Sequence, residues 1–144
     1  MYLDSAIIVK LLNDEPDSDF IEDAISDAPL SSSELAWTEV FSALCGRERA
    51  KLLKPRERDA SWNLFVEKVN AQEIQLHPLN SATLKKATHV LERCHPHVPL
   101  RTLDALHIAA CDLSQDFPLC TTDARMRAAA ERLGIPVFPE TSAN

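Results

Sequence analysis

The sequence is poor in glycine: of its 144 residues only Gly46 and Gly134 lack a side chain. A loop that wraps phosphate with bare backbone needs several glycines. Neither a Gly-x-Gly-x-x-Gly fingerprint nor a Walker A loop is present, which excludes nucleotide-binding Rossmann and P-loop readings. No apolar run approaches the roughly 18 to 20 residues that a membrane span requires. The opening Met1-Tyr2-Leu3-Asp4 lacks the basic stretch and long apolar segment of a secretory signal, so a cytoplasmic protein is expected. Cys45, Cys94, Cys111 and Cys120 contain no Cys-x-x-Cys pair. In a cytosolic chain they are expected to stay reduced, and three of them, set in apolar stretches, read as small buried hydrophobes.

Basic residues are scarce where the chain begins. Residues 1–40 hold ten acids against the single base Lys10, a balance of −9, within a net charge of −7 for the chain. That sign does not suit a generic nucleic-acid binder. Residues 47–58 reverse it, with Arg47, Arg49, Lys51, Lys54, Arg56 and Arg58 against Glu48 and Glu57. The run reads either as a solvated helix end and loop or as a surface for a polyanion.

What is present is a 45 % apolar chain of one-domain size, expected to fold as a single unit over residues 1–144 with a loose tail after Pro139. Met1-Tyr2-Leu3 reads as a short strand ending at Asp4, and Ser5 as the cap of a helix over residues 6–12. A second helix is expected near residues 17–27, with Phe20, Ile21, Ala24 and Ile25 at helical spacing. Pro29 and Leu30 begin a short strand or loop. Ser33 then caps a long helix over residues 34–53, interrupted by Gly46. Pro55 suits the first turn of a helix over residues 56–71. A strand at 74–76, a helix from Asn80 or Ser81 to Cys94, and a loop through His95-Pro96-His97-Val98-Pro99 follow. The remainder reads as a helix over 102–114, a strand at 118–122, a helix over 123–133 closed by Gly134, and a last strand at 135–138. Short strands alternating with helices imply an α/β fold: a three-layer α/β/α sandwich around a parallel sheet of four to five short strands.

Four carboxylates stand where carboxylates are uncommon. Asp4 closes an apolar strand, and ligands of open parallel sheets lie beyond the carboxyl ends of their strands. Asp123 follows the apolar Leu119-Cys120-Thr121-Thr122 in the same way. Both also suit a plain helix N-cap. Asp104 interrupts Leu103-Asp104-Ala105-Leu106-His107-Ile108-Ala109-Ala110-Cys111, a helix apolar nearly all round and therefore buried. A buried carboxylate needs a partner, and Arg101, His107 or a cation are the candidates, beside a simple role at the helix dipole. Helical spacing sets Glu39 beside Leu35, Ala36 and Ala43, away from a charged face, although the edge of an exposed stripe is an equal reading. If the four converge they cannot all stay ionised without a cation. Two charges about 4 Å apart repel by roughly 4 kcal/mol at an effective dielectric of about 20. Oxygen-only donors favour Mg²⁺ or Mn²⁺.

Other chemistries fit less well. An aspartyl phosphatase would want a second acid two positions after Asp4, where Ala6 stands. A phospho-receiver would want paired acids at the first strand. His89, Cys94, His95 and His97 match no zinc-ligand spacing.

The segments Tyr2-Leu3-Asp4-Ser5, Ser33-x5-Glu39-Val40, Arg101-Thr102-Leu103-Asp104-Ala105-Leu106-His107-Ile108-Ala109 and Cys120-Thr121-Thr122-Asp123-Ala124-Arg125-Met126 resemble, in order and over nearly the whole chain, the PIN-domain family. Within it they resemble the VapC-like toxins of bacterial toxin–antitoxin pairs. The resemblance implies that Asp4, Glu39, Asp104 and Asp123 form the catalytic, metal-binding acidic cluster. Asp4 and Asp104 would be the most direct ligands of Mg²⁺ or Mn²⁺, and Glu39 would act directly or through water. Thr121 and Ser5 would support the site, with Arg101 and His107 beside it or on the substrate. It further implies an endoribonuclease that hydrolyses structured RNA, often tRNA or ribosomal RNA, a homodimer, and a cognate antitoxin that fills the acidic groove. Arg47, Arg49, Lys51 and Arg56 are candidates for holding the RNA backbone. Family members also process RNA outside toxin pairs, and a silent PIN-like fold can serve as a binding module.

Overall fold

The computed structural model describes residues 1–140, so all but Glu140 of the tail expected after Pro139 lies outside the described residues. Five short stretches form parallel strands among the described residues: β1 (Tyr2–Leu3), β2 (Leu30–Ser33), β3 (Ile74–His77), β4 (Leu119–Cys120) and β5 (Val137–Phe138). They lie in the order β3-β2-β1-β4-β5. Tyr2 registers against Ser31 on one side and Leu119 on the other. The chain therefore builds outward from β1 to one edge, then returns to β1 and builds to the other. The reversal falls between β1 and β4, the point at which open α/β sheets leave a crevice beyond their strand ends.

Helices cover both faces. Along each short strand alternate side chains point to opposite layers. Tyr2 and Leu119 join one apolar cluster, with Ala87 and Val90 of α5 (Ser81–Cys94), Ala105 and Ile108 of α6 (Thr102–Ser114), and Ala129 of α7 (Ala124–Leu133). Leu3 and Cys120 join the other. It holds Ile7 and Ile8 of α1 (Ser5–Leu12), Ile21 and Ile25 of α2 (Ser18–Ile25), Val40 and Leu44 of α3 (Leu35–Arg49), and Phe65 of α4 (Pro55–Asn70). This is the expected three-layer α/β/α arrangement. Cys94, Cys111 and Cys120 are buried and Cys45 is half-buried, all as free thiols.

Four local expectations need correction. Asp4, not Ser5, caps α1: its Oδ1 accepts from the Ile7 amide at 2.8 Å, and Ser5 is the first helical residue. Helix α3 runs straight through Gly46, where an added methyl would meet only the Arg49 side chain, at 3.6 Å. It then stops at Arg49, short of Leu53, because Lys51 adopts φ 61° and the Leu52 amide turns back to the Arg47 carbonyl at 2.9 Å. On α2, Ile21 and Ile25 are buried as expected, but Ala24 faces solvent, and Phe20 stacks on Phe138 while remaining 60 % exposed.

Candidate active site

The crevice between β1 and β4 receives its side chains from both flanks. Asp4 follows β1 directly, and its amide donates to the Cys120 carbonyl at 3.2 Å, which fixes it beside the end of β4. One carboxylate oxygen caps α1, and the other accepts from the Thr121 hydroxyl. Thr121 in turn takes the Asp123 amide on its Oγ1 at 3.1 Å. Asp123 caps α7, its Oδ1 accepting from the Met126 amide at 2.9 Å. The two acids thus cap helices and face the crevice at once, each held by backbone donors.

Burial drives the Asp4 pKa upward, and the nearby negative charge of Asp123 adds to it. The Thr121 and Ile7 hydrogen bonds and His107 only partly offset that rise. Asp4 is 4 % exposed and Thr121 is fully buried. A carboxylate in that position lacks neutralising charge.

Helix α6 supplies the third acid. Residues 104–111 are all buried, including Asp104 and His107. Asp104 Oδ2 accepts from Arg101 Nε at 3.1 Å. One turn on, His107 Nε2 lies 2.5 Å from Glu39 Oε1, which also accepts from the Ser5 hydroxyl at 2.9 Å. On Glu39, burial raises the pKa, but the His107 and Ser5 bonds and the Arg101 charge outweigh it, and the net shift is downward. An ionised Glu39 can only accept, which places the imidazole proton on Nε2. His107 Nδ1 in turn hydrogen-bonds the Tyr2 hydroxyl, 2.8 Å away. Tyr2 is the site residue that sequence reasoning missed. An aromatic in an apolar strand reads as core, and only its being the sole tyrosine ahead of Asp4 set it apart.

Asp4, Glu39, Asp104 and Asp123 therefore share one region with Ser5, Thr121, Arg101 and His107. The Arg101 charge is felt there by Glu39 and is itself stabilised by Asp104, Asp123 and Glu39. The donor set is all oxygen, with more negative charge than Arg101 offsets, and fits a hard divalent cation in charge and chemistry. As the side chains stand, no three His, Cys, Asp or Glu groups among the described residues converge tightly enough to hold one ion. Asp104 is turned to Arg101, and Asp4 to Thr121 and Ile7.

The basic run is not brought to this region. Arg47 lies eight residues beyond Glu39 on the same helix, about 12 Å along its axis at roughly 1.5 Å per residue. It is paired with Glu15. Arg49, Lys51 and Arg56 are exposed still farther along, toward the amino ends of the strands. A groove of about 680 Å³, lined by Ile8, Leu12, Ile25, Leu30 and Ile74 among others, also opens at that opposite end.

A parallel sheet reversing at β1, with acids at the crevice, defines a class, and residues 1–132 match the PIN domain family. The chain belongs to that family. It is 35 % identical over 143 residues to Ribonuclease VapC46 of Mycobacterium tuberculosis (strain ATCC 25618 / H37Rv), covering 96 % of this chain and 95 % of that protein. It is 27 % identical over 141 residues to Ribonuclease VapC35 of the same strain, covering 95 % and 94 %. Two solved structures share the fold at low identity. FitAcB from Neisseria gonorrhoeae matches with a TM-score of 0.68 at 16 % identity over 95 % of both chains. VapBC2 from Rickettsia felis, solved with a DNA fragment from its promoter, matches with a TM-score of 0.66 at 12 % identity over 94 % of this chain and 95 % of that one. No helix among the described residues is long and apolar enough to cross a membrane.

Proposed function

We propose that this chain is an endoribonuclease dependent on Mg²⁺ or Mn²⁺, and the toxin of a toxin–antitoxin pair. The observation that carries the reading is the placement of Asp4 and Asp104, 4 % and 8 % exposed, beside Asp123 and Glu39 at the sheet's reversal point. Buried carboxylates in excess of nearby cations are costly to folding and are kept where a cation is to be bound. Membership of the PIN family and the ribonuclease names of the curated relatives support the activity. The resemblance to the toxins of toxin–antitoxin pairs, together with the fold shared with VapBC2, supports a protein antitoxin as partner. Dimerisation and a tRNA or ribosomal RNA substrate follow from the family resemblance.

Asp4, Asp104 and Asp123 would hold the ion, with Glu39 directly or through water. When bound, such an ion lowers the pKa of water and stabilises charge on phosphate oxygens. The remaining work belongs to the chain. Thr121 and the amides of Ile7 and Met126 hold the carboxylates of Asp4 and Asp123 at the crevice, and Asp104 would have to leave Arg101 to join them. The Tyr2–His107 pair and Ser5 hold Glu39 ionised and aimed. Ionised Glu39, a quarter exposed, can accept a hydrogen bond from a water at the crevice and so help orient it.

Wild type and Asp104→Asn should be compared on total RNA and tRNA, with Mg²⁺, Mn²⁺ or EDTA. Cutting by wild type that needs the ion and falls about 100-fold or more in the variant, at least about 2.7 kcal/mol of transition-state stabilisation, is expected. Folded, antitoxin-free wild type that cuts nothing would overturn the reading and leave a binding module, and a variant that cuts equally well would remove Asp104 from the site.

A further inference from the structure

Arg101 caps the start of α6 in extended conformation, and Asp104 and His107 follow at three-residue spacing as neighbours on the helix surface. That surface meets Glu39, through the His107 bond. Asp104 and His107 are buried; Arg101 has a side chain 66 % exposed. It reaches Asp104 through Nε alone, and its terminal nitrogens make no hydrogen bond among the described residues. Of the four acids, Asp104 is the one whose carboxylate an arginine holds, again among the described residues. Arginine normally meets a carboxylate with two parallel N–H groups. Here the outer edge of the fork is left facing solvent.

This arrangement is stable only while nothing better competes. A pair held by one N–H from a largely exposed arginine is weak, because water screens the guanidinium and the long side chain loses freedom. A divalent ion brings twice the charge and coordinates the oxygen directly. The displaced guanidinium stays tethered at the first turn of α6, at the mouth of the acidic region. Its geometry matches the oxygens of a phosphodiester. We propose that Arg101 is a movable counter-ion: it neutralises Asp104 while the acids hold no cation, yields Asp104 to a divalent ion, and then turns its free fork to a backbone phosphate of the RNA. The proposal rests on the ribonuclease reading above. It makes Arg101 a competitor of the metal and a partner of the substrate, two roles that ordinary ion pairing on a helix end would not combine.

The test uses the full antitoxin-free chain. Mn²⁺ binding is titrated calorimetrically for wild type, Arg101→Gln, Arg101→Lys and Asp104→Asn. Binding of a fluorescein-labelled single-stranded oligouridylate to the Ca²⁺-loaded proteins is followed by anisotropy across a salt series. Arg101→Gln should bind Mn²⁺ about threefold or more tighter, with Arg101→Lys close to wild type. The same Gln variant should bind RNA more weakly, its log–log salt slope smaller by about 0.7, the value of one lost single-strand phosphate contact. Equal Mn²⁺ affinity in wild type and Arg101→Gln would overturn the competition, and an unchanged salt slope would overturn the phosphate contact. Both results leave the nuclease reading intact. Wild type that binds no Mn²⁺, or binds it no better than Asp104→Asn, would bring down the metal site and this proposal with it. Arg101 itself is exposed, and thermal melts of its variants in EDTA verify that each is folded while Asp104 lacks its partner.

Discussion

Asp4 is a carboxylate in surroundings that favour a carboxylic acid. Burial and Asp123 hold its folded pKa above the ordinary value. Such a group contributes stability that is fully present below its unfolded pKa and is lost as pH rises through the folded one. In EDTA at neutral pH, Asp4→Asn should therefore melt at or above wild type, since the amide keeps an acceptor for Ile7 and can donate to Thr121. It should also lose the rise in melting temperature that Mg²⁺ gives wild type. A fall of several degrees in EDTA would show that the charge itself holds the fold. The same residue shows how the sequence could be read two ways at once. Capping and site-facing looked like alternatives for Asp4 and Asp123. Each acid has two oxygens, and Asp4 uses one for the helix and the other for Thr121. Asp104 was the most legible, because a charge inside an apolar helix has few explanations. The partners of Glu39 were not legible: Ser5 and His107 lie far from it in the chain, and no local pattern records such contacts.

At the level of elements, most segments were readable from caps and apolar spacing, and the failures have local causes. Residues 47–53 are good helix formers, so composition extended α3 past its end. What stops it is a turn at Lys51 in the left-handed region, a conformation that no glycine announces. The two real glycines make opposite predictions. Gly46 sits inside α3 with room for a methyl, so Gly46→Ala should stabilise by about 0.5–1 kcal/mol through helix propensity. Gly134 ends α7 at φ 72° with open space around it, so Gly134→Ala should cost about 1 kcal/mol from backbone strain alone. Urea melts of both variants check the pair; equal signs would contradict the assigned conformations. The basic run was legible as charge but not as position. Its distance from the acids follows from the direction of α3, which descends from the site end of the sheet, so any contact it makes with RNA must be remote from the crevice.

For the whole molecule, alternating elements implied a parallel sheet, but the strand order was not written in any segment. Only the pairing of β1 with β4 brings Asp4 beside Thr121. A second long-range tie lies away from the site. His77, ending β3, donates to Asp116 at 2.6 Å, joining one edge of the sheet to the loop after α6. Burial raises the Asp116 pKa, but the Ser31 hydroxyl and His77 more than offset it, and the folded value lies below the ordinary one. Its contribution is present above the unfolded pKa and is lost as pH falls through the folded one. Asp116→Asn should thus lower stability at neutral pH by about 0.5–1.5 kcal/mol, the net worth of one hydrogen bond. Its melting temperature should also fall less steeply than wild type on acidification below the carboxylate range. Parallel melting curves for the two proteins across that range would remove the tie from the account.

The contact between Asp4 and Thr121 spans 117 residues of sequence. A ribosome making this chain releases Asp4 well before Thr121 and Asp123, at about 5–20 residues per second. For most of that interval the emerging polypeptide has acids but no crevice to gather them, since β4 has yet to slot beside β1. The site comes into being only once β4 has emerged, and any partner that must silence it has that interval to be ready.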